Sequence, residues 1–149
     1  MIAIRSLGVK LKLNSTKTIV KNKSIILIDD SLVRGTTCLK IVKMLFEDGA
    51  KEVHVRIACP EIKHPDFYGV DMPTKKELLA YNKNIDEMCE YINATSLKFL
   101  SLDGLYKALL NEKRNPNYPQ FSDHYFTGDY PIEPLDRIKG IKIKQLSLL

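Results

Sequence analysis

Asp29 and Asp30, followed by Ser31, Arg34, Gly35, Thr36 and Thr37, are the residues of this 149-residue chain best equipped for chemistry. Two neighbouring carboxylates can accept hydrogen bonds from the vicinal hydroxyls of a sugar. They can also hold Mg²⁺, a hard cation that takes oxygen ligands. Gly35 can adopt positive φ and lets the backbone approach an anion closely. Thr36 and Thr37 set hydroxyls beside backbone N–H groups where a helix should begin. First-turn N–H groups have no internal partner and carry partial positive charge. A phosphate fits there, so the set reads as a sugar-phosphate site.

Such a site needs a strand before it and a helix after it. Ser24 to Ile28 is a short apolar run rich in β-branched residues. Being apolar on both faces, it reads as a central strand of a sheet covered on both sides, usually a parallel one. Ligands in such sheets bind at the carboxyl ends of the strands, where Asp29 and Asp30 lie. A helix is predicted over Thr37 to Glu47, with Leu39, Ile41, Val42, Leu45 and Phe46 on its apolar face and Gly49 as its C-cap. Val53 to Ala58 reads as a second strand. A βαβ unit of this length implies parallel strands and a right-handed crossover.

Further along, residues 61–73 read as a proline-bounded loop. Thr74-Lys75-Lys76-Glu77 is a capping box that should open a short helix to about Tyr81. Asn84 can cap another helix running to about Ile92, and Leu97 to Leu100 suits a third short strand. Ser101 can cap a helix to about Asn111. From Lys113 onward Pro, Asn and Gly dominate, and mostly irregular structure is expected. The chain thus divides into an α/β part, residues 1–112, and a tail, residues 113–149.

Two blander readings compete for the acid pair. A strand ending in two acids before a helix can be a plain N-cap. Receiver domains of two-component signalling also begin with an apolar strand and an acidic pair, but they need a phosphorylatable Asp after a later parallel strand. Here the strand Val53 to Ala58 runs into Cys59-Pro60, and a receiver has no place for Arg34-Gly35-Thr36-Thr37.

Composition narrows the classes. A formal net charge of +5 suits an anionic ligand. There is no basic run interleaved with aromatics, so nucleic acid is not an expected partner. No apolar stretch reaches transmembrane length, so no membrane partner is expected either. Cys38, Cys59 and Cys89 are an odd, scattered set without a secretory signal, which points to a reducing cytoplasm. His54, His64 and His124 lack metal-ligand spacing and suit structural or surface roles.

Residues 28–37, Ile-Asp-Asp-Ser-Leu-Val-Arg-Gly-Thr-Thr, resemble the phosphoribosyl pyrophosphate (PRPP) motif of the type I phosphoribosyltransferases, in the form found in the amidophosphoribosyltransferase family. Gly8 to Asn14, Glu47 to Val55, Pro60 to Pro65, Phe67 to Pro73 and Phe126 to Pro131 resemble other segments of that family. Together the resemblance covers roughly residues 5–132. It implies part of a type I phosphoribosyltransferase fold, Rossmann-like with a parallel sheet core. The family activity it implies is transfer of ammonia from glutamine to PRPP. That gives 5-phosphoribosylamine in the first step of de novo purine biosynthesis. Carried over residue by residue, Asp29 and Asp30 would hold the ribose hydroxyls and help place Mg²⁺. Ser31 would join the PRPP-binding set, and Val33, Arg34, Gly35, Thr36 and Thr37 would cradle the 5′-phosphate. Lys10 and Lys12 precede the motif and suit either a phosphate contact or solvent.

Departures from the family pattern set further expectations. The glutaminase of the family uses an N-terminal Cys, whereas this chain begins Met1-Ile2-Ala3. The family's pyrophosphate loop and closing loop are also missing. The chain therefore reads as an N-terminally truncated domain that binds PRPP without efficient chemistry, and no residue is assigned a catalytic role. A separate chain supplying the missing half, or a homo-oligomer, would cover the bare sheet edge such a truncation leaves. The alternative is a noncatalytic PRPP- or nucleotide-binding module, or an inactive remnant. Some family members bind an iron–sulfur cluster through cysteines. Asp66 stands at one of those positions and residues 117–125 contain no Cys, so no cluster is expected.

Overall fold

Alternation along three short strands gives the protein a packed side and an open side. The computed structural model describes residues 17–69 and 74–132. Gly8 to Asn14 with Lys10 and Lys12, Val70 to Pro73, and the tail beyond Ile132 lie outside the described residues.

The described chain begins with a turn of helix, α1 (Lys17–Val20), then β1 (Ser24–Asp29), α2 (Thr36–Glu47) and β2 (Glu52–Ile57). A 3₁₀ turn (Lys75–Glu77) leads into α3 (Leu79–Asn82), α4 (Ile85–Tyr91) and β3 (Ser96–Phe99). Helices α5 (Leu102–Leu110) and α6 (His124–Thr127) complete it. The strands form one sheet in the order β1-β2-β3. Both pairings are parallel, with Asp29 opposite Ile57 and His54 opposite Ser96. This is the α/β architecture that the βαβ unit in the sequence implies.

Local signals explain most boundaries. Helix α2 stops at Glu47 because Gly49 turns left-handed at φ 92, one residue past the C-cap Asp48 rather than at the cap itself. Asn84 and Glu87 form a reciprocal capping box at the start of α4. The Ser101 side chain accepts from Gly104 N at the start of α5. The Thr74 to Glu77 box forms too, but it opens only a 3₁₀ turn, and the chain straightens at Leu78 before α3.

The core lies on one face of the sheet. Val53, Val55 and Ile57 of β2 meet Val42 and Leu45 of α2, Met88 and Ile92 next door, and Leu97 of β3. Ile25 and Leu27 of β1 pack against the same cluster. The opposite face carries Ile26 and Ile28, which are 66% and 73% exposed. This corrects the expectation that Ser24 to Ile28 is a central strand buried on both sides. Among the described residues β1 pairs only with β2, and the α-helices of the βαβ units cover a single face, so the second face of β1 meets solvent.

Residues 113–132 fold back on the domain. Asp123 is buried and receives hydrogen bonds from Tyr106 Oη (2.8 Å) and from the Arg114 guanidinium, which also reaches Asp129 at 2.7 Å. The Tyr125 carbonyl accepts from Lys63 N and His64 N. His124 Nε2 meets Asp66 Oδ1 at 2.8 Å, with both side chains buried. Tyr130 packs on Phe67 with ring centroids 5.3 Å apart. His124 thus has a structural role, and the aromatics of this stretch serve as packing. Among the described residues no helix is long and apolar enough to cross a membrane.

The two faces make a stability prediction. Ile92 is fully buried, so Ile92→Ala should cost about 2–5 kcal/mol in chemical denaturation. Ile26→Ala should stay within about 0.5 kcal/mol of wild type. Equal costs for the two would contradict the open face.

Candidate functional site

Strand β1 delivers its last residue, Asp29, to the carboxyl end of the sheet. The next six residues turn the chain into α2. Ala58 N donates to the Asp29 carbonyl at 2.9 Å, which anchors the end of β1 to the residue following β2. Asp29 Oδ1 accepts from Asp30 N at 3.0 Å, and Ser31 Oγ donates to Asp30 Oδ1 at 3.2 Å. The two acids are therefore held side by side, Asp29 half-buried and Asp30 exposed. Leu32 points inward and is buried in the core.

The turn ends on Gly35 at φ 75, a left-handed conformation that a residue with a side chain rarely takes. The space there is tight as well. A Cβ on Gly35 would stand 2.8 Å from Leu79 Cδ2 and 3.0 Å from Tyr91 Cε1. Leu79 N donates to the Val33 carbonyl at 2.8 Å, so α3 grips the turn from outside. Gly35 is also the N-cap of α2, and its carbonyl accepts the helical bond from Leu39 N. No side chain caps this helix and no acid occupies its first turn. The first-turn N–H groups consequently keep their partial positive charge free of a capping side chain, with Asp29 and Asp30 the carboxylates in the same cavity lining.

Residues 29–38 line a cavity of about 310 Å³. All eight residues singled out from the sequence, Asp29, Asp30, Ser31, Val33, Arg34, Gly35, Thr36 and Thr37, lie in that lining, joined by Leu32 and Cys38. The Thr36 and Thr37 side chains are exposed at the mouth. A larger cavity of about 570 Å³ lies beyond the ends of β2 and β3, near Pro60, Ser101 and Phe126, but it holds none of these groups.

Two thiols sit behind the acids. Burial pushes Cys38 up to about 11, with Asp29 adding to it. Burial likewise pushes Cys59 up to about 11, chiefly with help from Asp30. Both stay protonated at neutral pH and are poor nucleophiles. Cys38 is a small buried group, whereas Cys59 and Cys89 are only half-buried.

The cavity lining thus combines two carboxylates with the start of α2, two hydroxyls and Arg34. Sequence reading missed one group at this site, Glu77, which lies 3.3 Å from Arg34. Its capping box was visible in the sequence, but its second contact joins segments far apart in the chain. Among the described residues no group of three or more His, Cys, Asp or Glu could hold a metal ion.

No protein-family model matches the chain. It is 52% identical to the amidophosphoribosyltransferase of Rhizobium etli over 147 residues, which is 98% of this chain and 30% of that protein. It is 49% identical to the amidophosphoribosyltransferase of Staphylococcus aureus over 128 residues, 86% of this chain and 26% of that protein. Its structure superposes with a TM-score of 0.75 on the glutamine PRPP amidotransferase of B. subtilis complexed with ADP and GMP, at 43% identity, covering 87% of this chain and 28% of the other. The chain therefore spans less than a third of the length of these relatives.

Gly35 supplies the prediction here. Gly35→Ala should lower stability by about 1–3 kcal/mol through positive φ and crowding, measured by chemical denaturation. A cost below about 0.5 kcal/mol would show that the turn is not held as described.

Proposed function

We propose, from the premise that this chain is related in sequence and fold to one segment of the amidophosphoribosyltransferases, that the cavity at residues 29–38 binds the ribose 5-phosphate part of PRPP or of a purine nucleotide. The observation that carries this is the convergence of all eight sequence-selected residues on one cavity at the start of α2. The 5′-phosphate sits against the first-turn N–H groups of α2, with Thr36, Thr37 and Arg34 around it. Asp29 and Asp30 accept hydrogen bonds from the ribose hydroxyls. The ADP and GMP bound to the B. subtilis relative support extending the ligand class to nucleotides.

Mg²⁺ fits this donor set. The ion commonly takes one or two protein carboxylates and fills its other positions with substrate oxygens and water. Asp29 and Asp30 are the two acids in the lining, and a diphosphate ligand supplies the rest. When bound, the ion neutralises charge on the pyrophosphate. An iron–sulfur cluster is not part of the reading, because Asp66 is buried against His124 where the family motif can carry a cysteine. That stretch offers no thiolate.

In the whole reaction of the relatives, ammonia from glutamine displaces pyrophosphate from PRPP, at the entrance to purine synthesis. The part of that reaction assigned to this chain is anchoring. Stabilising the developing negative charge of the leaving group is a large catalytic contribution. Among the described residues Arg34 is the only basic side chain in the cavity lining. The chain by itself thus holds the sugar phosphate and leaves most of the pyrophosphate charge unmatched.

A thermal melt with and without PRPP and Mg²⁺ tests this. Ligand at about 100 times its dissociation constant should add about 2.7 kcal/mol, a rise of several degrees. The Asp29→Asn/Asp30→Asn double variant should lose that rise. A wild type that melts cooperatively without shifting, or a double variant that shifts as far as wild type, would sink the proposal.

A further inference from the structure

The turn that forms the proposed phosphate cradle is braced from outside by Tyr91 of α4 and by the segment Thr74 to Leu79. The grip of that segment has three parts. Leu79 N donates to the Val33 carbonyl at 2.8 Å. The Leu79 side chain closes over Gly35. Glu77 Oε1 lies 3.3 Å from Arg34 Nη2.

The Glu77 carboxylate is oriented before it meets Arg34. Its Oε2 accepts from Thr74 N at 3.1 Å and from Thr74 Oγ1 at 3.0 Å. That leaves Oε1 for the guanidinium. The Thr74 hydrogen bonds, with a smaller contribution from Arg34, hold the Glu77 carboxyl below the usual carboxylate range. The residue is therefore ionised throughout the neutral range.

Arg34 is half-exposed and sits on a turn, so a free side chain of its length would sample many rotamers. A guanidinium has five N–H donors in a planar fork. One spent on Glu77 fixes the plane and leaves the others for an anion. We infer that Glu77 is a positioning residue for the ligand phosphate: it holds Arg34 at the lip of the cavity so that the remaining guanidinium donors meet the phosphate. The inference rests on the cavity being the sugar-phosphate site proposed above. It adds a residue outside the motif and commits the contact to assisting binding rather than competing with it.

Competition is the rival outcome, since a carboxylate beside an arginine can also repel an incoming phosphate. Geometry favours positioning. Glu77 is already tied to Thr74 by two hydrogen bonds and does not line the cavity, whereas Arg34 does.

The test is a double-mutant cycle on the full chain, read as the dissociation constant of Mg²⁺–PRPP by calorimetry. Its four proteins are wild type, Glu77→Gln, Arg34→Ala and the double variant. Gln completes a capping box as Glu does, so Glu77→Gln should melt like wild type without ligand. Its affinity should fall about two- to fivefold, the range that a half-exposed ion pair can supply. In the Arg34→Ala background the same change should have no further effect. Tighter binding by Glu77→Gln would overturn the inference in favour of competition. So would unchanged binding, an equal loss in the Arg34→Ala background, or a loss accompanied by an equally lowered melt. A wild type that binds no PRPP overturns the site and the inference together. That result is distinct, because no member of the cycle then gives a binding signal.

Discussion

The close approach of Leu79 and Tyr91 to Gly35 is the constraint on which the rest of the site depends. It fixes the exit of β1, the left-handed turn and the first residue of α2 in one stroke. With Gly35 in place the helix starts bare, capped by no side chain, and its N–H groups are left for a ligand. Any larger residue would have to displace the Leu79 and Tyr91 side chains. The grip on Val33 and Arg34 from the same side would then loosen. Backbone geometry and outer packing are thus one device here. The acids at the end of β1 acquire their relation to the start of α2 through it.

Around that device the described residues are one-sided. A single helical layer covers the face of the sheet that carries Ile25, Leu27, Val53, Val55 and Leu97. The other face presents Ile26 and Ile28 beside His54 and Arg56. His54 is braced there by Ser96 at 2.8 Å, and Arg56 by Ser96 and the Val55 carbonyl. On the far side, residues 113–132 are held by buried polar contacts rather than by regular structure. Asp123 binds Tyr106 and Arg114, and Asp66 binds His124. Each of these buried groups has its partner, and none is left unsatisfied among the described residues.

Much of this was legible in the sequence because the signals are local. Asn84 and Ser101 cap helices through bonds to backbone three residues away, and the apolar face of Thr37 to Glu47 is a short-range pattern. The eight residues of the site are nearly contiguous, so reading one stretch found all of them. The failures share a cause. An apolar run such as Ser24 to Ile28 does not say whether its second face is covered, because that depends on distant segments. The Asp66–His124 pair spans 58 positions and leaves no periodic trace. Glu77 was read as a cap, which it is, while its contact with Arg34 exists only in three dimensions.

The most direct measurement is an amide NMR titration of the full chain with ribose 5-phosphate and Mg²⁺. A phosphate seated at the start of α2 predicts the largest saturable shifts at the N–H groups of Gly35, Thr36, Thr37 and Cys38, with smaller ones at Asp29 and Asp30. Shifts centred instead on Glu61, Ser101 and Leu102 at the larger cavity, or none at saturating ligand, would contradict it.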